Sequence, residues 1–261
     1  RAAIMANHTA THIMNHKMRA VLGDHVQQRG SLVDEQKTRF DLSHDHAISV
    51  DEQARIEQMV NHDIAADLPV YADYAKQEDA LKINGLRAVF GEKYPPTVRI
   101  VSIGVPPEEA LNNPDNPKWP DYSIEFCGGT HLAKTGDAEG FVFVAEEAVS
   151  KGVRRVTAQT GRIAHKTQAT GDRLLARVEA LKQQSPEQVA AALGDLQQQV
   201  DQETLPVVAR AQLRDAIAGL QKVVKEHEKQ AAKAAAGAAV GVARRAADEH
   251  GEPASAAAAE E

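Results

Sequence analysis

Residues 127–131 read "CGGTH" and hold the single cysteine of the chain. Four positions separate Cys127 from His131, and the same step separates His8 from His12 in "HTATH" at residues 8–12. On a helix that step places both imidazoles on one face, so two nitrogens can grip one ion. The second pair sits in a loop whose adjacent glycines let the backbone fold tightly. One thiolate and three imidazoles suit tetrahedral zinc. Spacing alone leaves another reading open. Among eleven histidines such pairs also arise by chance, as His16 shows by extending the stripe. A lone cysteine can equally be an inert buried side chain.

Working outward, residues 3–22 read as a helix, with Asn7 as a candidate cap inside the run and Gly23 as its stop. Short extended pieces flank Gly30 over residues 26–42. Ile56, Met59, Val60 and Ile64 recur at helical steps, which predicts a helix over 51–68 that Pro69 ends. A further short helix is expected over 74–90. "TVRIVSIGV" at 97–105, "GFVFVAEEAV" at 140–149 and "GVRRVTAQTG" at 152–161 alternate β-branched residues between glycines and read as strands. The prolines and asparagines of 106–122, with Trp119 among them, predict a surface loop.

Beyond about residue 172 no strand is expected. Leu174, Val178 and Leu181 follow helical steps, and Ser185, Pro186 and Gln188 form a capping-box start. Val189, Leu193, Leu196 and Val200 make one narrow apolar seam, and Leu213, Ile217, Leu220 and Val224 make another. Past Lys229 the chain is mostly alanine, and "GEPASAAAAEE" reads as a frayed or cut end. The expected fold class is α+β, with helices on a mainly antiparallel sheet over 1–170. An all-helical, coiled-coil-like segment over 171–261 follows, with an Ala-rich end.

Composition sets the bounds. The chain has 261 residues, 43% hydrophobic and 26% charged, ordinary values for a soluble protein. One cysteine excludes an intramolecular disulfide and points to a reducing compartment. No apolar run approaches the roughly 18–20 residues that span a bilayer. A net charge of −7 argues against a globally basic nucleic-acid binder, although a local basic face remains compatible with it. Starting at Arg1, already within a helical pattern, the sequence reads as a piece of something longer.

"NHTATHIMNHKMRAVLGDHVQQRGSLVDEQKTRFDLSH" at 7–44, "FGEKYP" at 90–95, "EFCGGTHLAKTGD" at 125–137 and "GVRRVTAQTG" at 152–161 together resemble the editing domain of alanyl-tRNA synthetases. The likeness covers most of residues 4–161 and keeps the order of the segments. It implies a zinc ion held by His8, His12, Cys127 and His131. It also implies that Thr11 shapes the amino-acid pocket and that Gln28 lines it, with His25 structural.

The reaction the resemblance implies is hydrolysis of mischarged tRNA(Ala), chiefly seryl- and glycyl-tRNA. A pocket sized for alanine cannot exclude glycine, and one added hydroxyl rejects serine poorly, so a second site is needed. Implied partners are tRNA(Ala) and the remaining domains of the parent synthetase, with a cytoplasmic location and no membrane. Lys17, Arg19, Arg29, Lys93, Arg154 and Arg155 lie in or beside the matching segments and are the candidates for phosphate contacts. Asp41 is a candidate general base, against the blander reading of a carboxylate closing a turn. Loop 106–122 is longer than the resemblance leads one to expect and is a candidate cover for the site. Two alternatives stand beside this reading: a free-standing aminoacyl-tRNA deacylase, and a non-catalytic, zinc-stabilised RNA-binding module.

Overall fold

The computed structural model describes residues 1–89 and 91–249, with side chains up to residue 245. Phe90 of "FGEKYP" and the "GEPASAAAAEE" end lie outside the described residues.

Helix α1 (Ala2–Leu22) forms the centre of the first half. Ala6, Ala10, Ile13, Met14 and Met18 are buried among apolar side chains, while Asn7, Thr9, Thr11, His12 and Asn15 are buried as polar groups. A helix so enclosed must satisfy each polar side chain internally. Asn7 is therefore no cap: it donates to the Asp34 carbonyl and accepts from Thr160 Oγ1. Gly23 does end the helix, at φ 111.

Two antiparallel sheets flank this helix. Strands β1 (Gln28–Val33) and β2 (Thr38–Ser43) join β7 (Val153–Thr160) and β6 (Phe141–Ser150) in the order β1-β2-β7-β6. The second sheet orders β3 (Val70–Lys76), β4 (Thr97–Ile103) and β5 (Ser123–Phe126). Helix α2 (Val50–Ala65) has a complete capping box at Ser49 and Glu52, and buries Ile56, Val60 and Ile64 against α1, β2 and β6.

Two expectations need correction here. Residues 74–76 belong to β3, paired with Thr97–Arg99, and only Gln77–Ala80 (α3) are helical. Ladder pairing with β4 overrides the local helical pattern, as tertiary context commonly does. The 106–122 stretch contains helix α4 (Pro107–Asn112) and a 3-10 turn at Trp119–Asp121. Trp119 is buried in a second apolar cluster with Val98, Ile100 and Ile124, and its indole donates to the Asn113 carbonyl.

The second half is helical, as the seams predict. Helix α5 (Gly161–Leu181) runs unbroken across the expected 170/171 boundary. It is followed by α6 (Pro186–Gln202), started by the Ser185 capping box, and α7 (Val207–Glu249). Leu174, Val178, Leu181, Val189, Leu196, Val200, Leu213, Ile217, Leu220 and Val224 bury one another in a single cluster. The Ala-rich stretch continues α7 to Glu249, largely exposed as far as Arg245, consistent with alanine's high helix propensity. Among the described residues, no helix is long and apolar enough to cross a membrane.

Candidate functional site

Helix α1 presents His8 and His12 one turn apart toward the loop that follows β5. That loop carries Cys127 and His131, and one ligand atom from each of the four residues lies within 4.8 Å of the others. Cys127 Sγ is 3.4 Å from His8 Nε2 and 3.4 Å from His131 Nε2. Edges of this size belong to a tetrahedron around an ion bound at roughly 2.0–2.3 Å.

Local chemistry explains why the loop folds this way. A Cβ at Gly129 would lie 2.1 Å from His8 Cε1, so only glycine lets the imidazole seat there. Arg99 on β4 donates through Nη1 to the carbonyls of Cys127 and Gly129, at 2.9 and 2.6 Å. Thr9 Oγ1 accepts the Leu132 amide and lies 3.2 Å from His131 Nδ1, which leaves Nε2 directed at the cluster.

Burial sets the protonation of the donors. Desolvation lowers the pKa of His8, lowers His12 well below the ordinary imidazole value and brings His131 to about 2. Mutual repulsion deepens the shift for His12 and His131. All three are thus neutral imidazoles, the ligating form. Burial also pushes the Cys127 thiol up, and a coordinated cation would reverse that by deprotonating it. Four soft or borderline donors converging on one point fit a d¹⁰ divalent ion.

Three of the four donors, His8, His12 and Cys127, line one wall of a cavity of about 450 Å³ between the two sheets. Thr11 and Gln28 both line it, together with Arg99 and Tyr94. Thr11 Oγ1 donates to the Asn7 carbonyl and shares a 2.6 Å hydrogen bond with Thr38 Oγ1. Gln28 Nε2 donates to Ser31 Oγ. No residue of 106–122 lines this cavity; Pro120 instead accepts from His16 Nε2 farther along α1. The loop does not cover the site, because its Trp119 is drawn into the apolar cluster behind the second sheet.

Residues 98–157 match the family described as the threonyl and alanyl tRNA synthetase second additional domain. A cytoplasmic alanine–tRNA ligase of Dictyostelium discoideum is 53% identical over 161 residues, covering 62% of this chain and 17% of the relative. A mitochondrial alanine–tRNA ligase of Saccharomyces cerevisiae is 39% identical over 232 residues, covering 86% of this chain and 23% of the relative.

Over most of its length the chain matches one stretch of alanine–tRNA ligases.

It spans about a fifth of the length of these alanine–tRNA ligases. The other family-derived candidates are dispersed. Lys17 pairs with Asp63 at 2.6 Å, Arg154 with Glu146 at 2.5 Å, and Arg155 with both oxygens of Asp41 at 2.7 and 2.8 Å. Each is held within the fold by its partner. Asp41 therefore neither closes a turn nor reaches the cavity: it bridges β2 to β7 beneath Arg155. Arg19 lies 3.4 Å from Asp24 at the surface, while Arg29 and Lys93 are exposed. His25 stacks on His44, with a ring hydrogen bond of 2.9 Å.

Sequence reasoning missed Arg99, Thr9 and Glu125. Arg99 is the one charged residue of β4, and Glu125 is the one charge in a four-residue strand buried throughout. A single charge within a strand-forming run was the available signal.

Proposed function

We propose that residues 1–170 form a deacylating core that hydrolyses mischarged tRNA(Ala), chiefly seryl- and glycyl-tRNA, within an alanine–tRNA ligase of the cytoplasm. Residues 171–261 form the second unit, whose helices up to Glu249 lead toward the remaining synthetase domains. The reading rests on one observation above all: a four-donor group suited to zinc with His8, His12 and Cys127 on the wall of a cavity of about 450 Å³, in a chain similar to alanine–tRNA ligases. That volume falls in the usual range for small-ligand sites and accommodates an aminoacylated terminal nucleoside.

His8, His12, Cys127 and His131 would hold zinc. Bound there, the ion would supply positive charge that orients and polarises a substrate amine or carbonyl beside the cavity. Thr11, on the metal-bearing helix, borders the space for a small side chain. Its hydroxyl, held by Asn7 and Thr38, offers a fixed polar partner to serine that alanine would leave unpaired. Gln28 reaches the same cavity from β1, where its carboxamide positions a water for attack on the ester. Asp41 takes no part, since Arg155 holds both its oxygens. Among the six cations proposed for the acceptor stem, Arg29 and Lys93 are the exposed ones and so the most accessible to phosphate.

The test is deacylation of seryl-, glycyl- and alanyl-tRNA(Ala) by the intact ligase carrying Cys127→Ala, with zinc content measured alongside. Loss of seryl-tRNA clearance with tRNA binding retained supports the assignment. Clearance at the normal rate would falsify it. A chain that binds tRNA and zinc yet hydrolyses nothing favours the RNA-binding alternative.

A further inference from the structure

Among the metal-donor side chains, His12 is the most enclosed, with 5% exposure. Its Nδ1 is buried and has no hydrogen-bond partner. Glu125 Oε2 lies 3.5 Å away, just beyond hydrogen-bonding reach. The other carboxylate oxygen, Oε1, is fully engaged: Arg87 Nε donates at 3.0 Å, Asn15 Nδ2 at 3.1 Å, and Ser123 Oγ lies at 3.4 Å. Arg87 is itself anchored, since its backbone bridges the edge of β5 at Glu125 and its Nη2 donates to the Tyr122 carbonyl. Arg87 and Glu125 are both buried, at 8% and 6% exposure.

A buried ion pair is costly to assemble and commonly no more stabilising than an apolar pair of the same shape. This one aims its spare oxygen at the unpaired nitrogen of a metal-donor histidine. We propose that Glu125 is a positioning residue for the metal: its Oε2 accepts a hydrogen bond from the Nδ1–H of His12, so that the Nε2 lone pair is presented to the ion. Arg87 and Asn15 fix the carboxylate in that attitude. Carboxylate-to-histidine contacts of this kind orient a ligand ring, set its tautomer and raise its basicity. The inference rests on the zinc reading above but makes no use of the deacylation chemistry.

The 261-residue chain provides the test, with zinc affinity measured against a chromophoric chelator. In Glu125→Gln the amide oxygen stays with Arg87 and Asn15 and the NH₂ turns to His12 Nδ1. That nitrogen must then accept, which places the ring proton on Nε2. Zinc affinity is expected to fall 10- to 100-fold, the range seen when such partners are removed. Affinity unchanged within about twofold overturns the proposal. Long-range ¹H–¹⁵N spectra of the metal-free wild-type chain give a readout that a merely structural role would not move. They should place the His12 proton on Nδ1, and a proton on Nε2 overturns the proposal even if the variant fails to fold. A wild-type chain that takes up no zinc overturns both this inference and the zinc reading. Tight zinc with Glu125→Gln unaffected overturns this inference alone.

Discussion

The two ends of the molecule bury side chains for opposite reasons. Where α1 meets the "CGGTH" loop, three imidazoles, a thiol, two threonines and an Arg–Glu pair crowd together, each needing a specific partner. Where α5, α6 and α7 meet, Leu174, Leu196 and Leu213 need only one another. Dispersion and water exclusion tolerate small shifts, whereas a donor set for an ion does not. The polar end invests buried groups in geometry, and the apolar end supplies stability without any apparent chemistry. Substitutions should therefore separate the two: changes at one end should alter function with little effect on folding, and changes at the other should do the reverse.

The largest expected effect is at the polar end. Cys127→Ala should slow seryl-tRNA(Ala) hydrolysis by about a thousandfold, or about 4 kcal/mol of barrier, and abolish stoichiometric zinc. Its urea midpoint for the helical cluster should hardly move. An equally large loss from Leu196→Ala would break the separation of roles.

Leu196→Ala is the counterpart. Leu196 is completely buried at the centre of the helical cluster. Truncation should cost about 3 kcal/mol through lost transfer energy and the cavity left behind. Urea unfolding followed by circular dichroism measures this, and metal content should stay at about one ion per chain.

Acid sharpens the comparison at the polar end alone. Burial lowers His16 to about 4, with Arg87 and Lys17 adding repulsion. Its folded pKa lies below the unfolded value, so the unfolded chain binds the proton more readily. Stability is fully present above about pH 6.5 and declines as the pH falls toward 4. Between pH 7 and 5 this group alone accounts for about 2 kcal/mol. His16→Gln should flatten that part of the profile in denaturant titrations at the two pH values. An unchanged slope would mean that His16 is not the group responsible.

The smallest effect expected is at the start of α6. Ser185 Oγ accepts the Gln188 amide, and the Gln188 side chain returns to the Ser185 backbone. Ser185→Ala should cost about 1 kcal/mol, seen as a modest drop in urea midpoint with zinc content and deacylation unchanged.

Much of this was readable in the chain itself. Periodicity located α1, α2, the strands β4, β6 and β7, and every residue of the helical seams, because amphipathic spacing is a local consequence of which face must be buried. The four candidate donors were picked out by the likeness to the editing domain, since spacing alone did not separate them from chance pairs among eleven histidines. Local pattern failed at residues 74–76 and at 106–122. There, a strand formed because β4 offered a ladder, and a loop acquired helix α4 and a buried tryptophan because a second apolar cluster needed covering.

By itself, then, the sequence determined the α+β class and the helical second half, properties of residue type and short-range spacing; the four candidate metal donors came from the family resemblance, because spacing alone left them open. Only the tertiary structure decided that residues 119 positions apart meet at 3.4 Å, that Gly129 must lack a Cβ, and that Lys17, Asp41, Arg154 and Arg155 neutralise charges inside the fold. It also decided that Glu125 stands behind His12 with one oxygen to spare. A charge reads the same in a sequence whether it faces solvent, an anion or a buried partner. Which of these it meets is set by long-range packing, where desolvation makes a pairing obligatory.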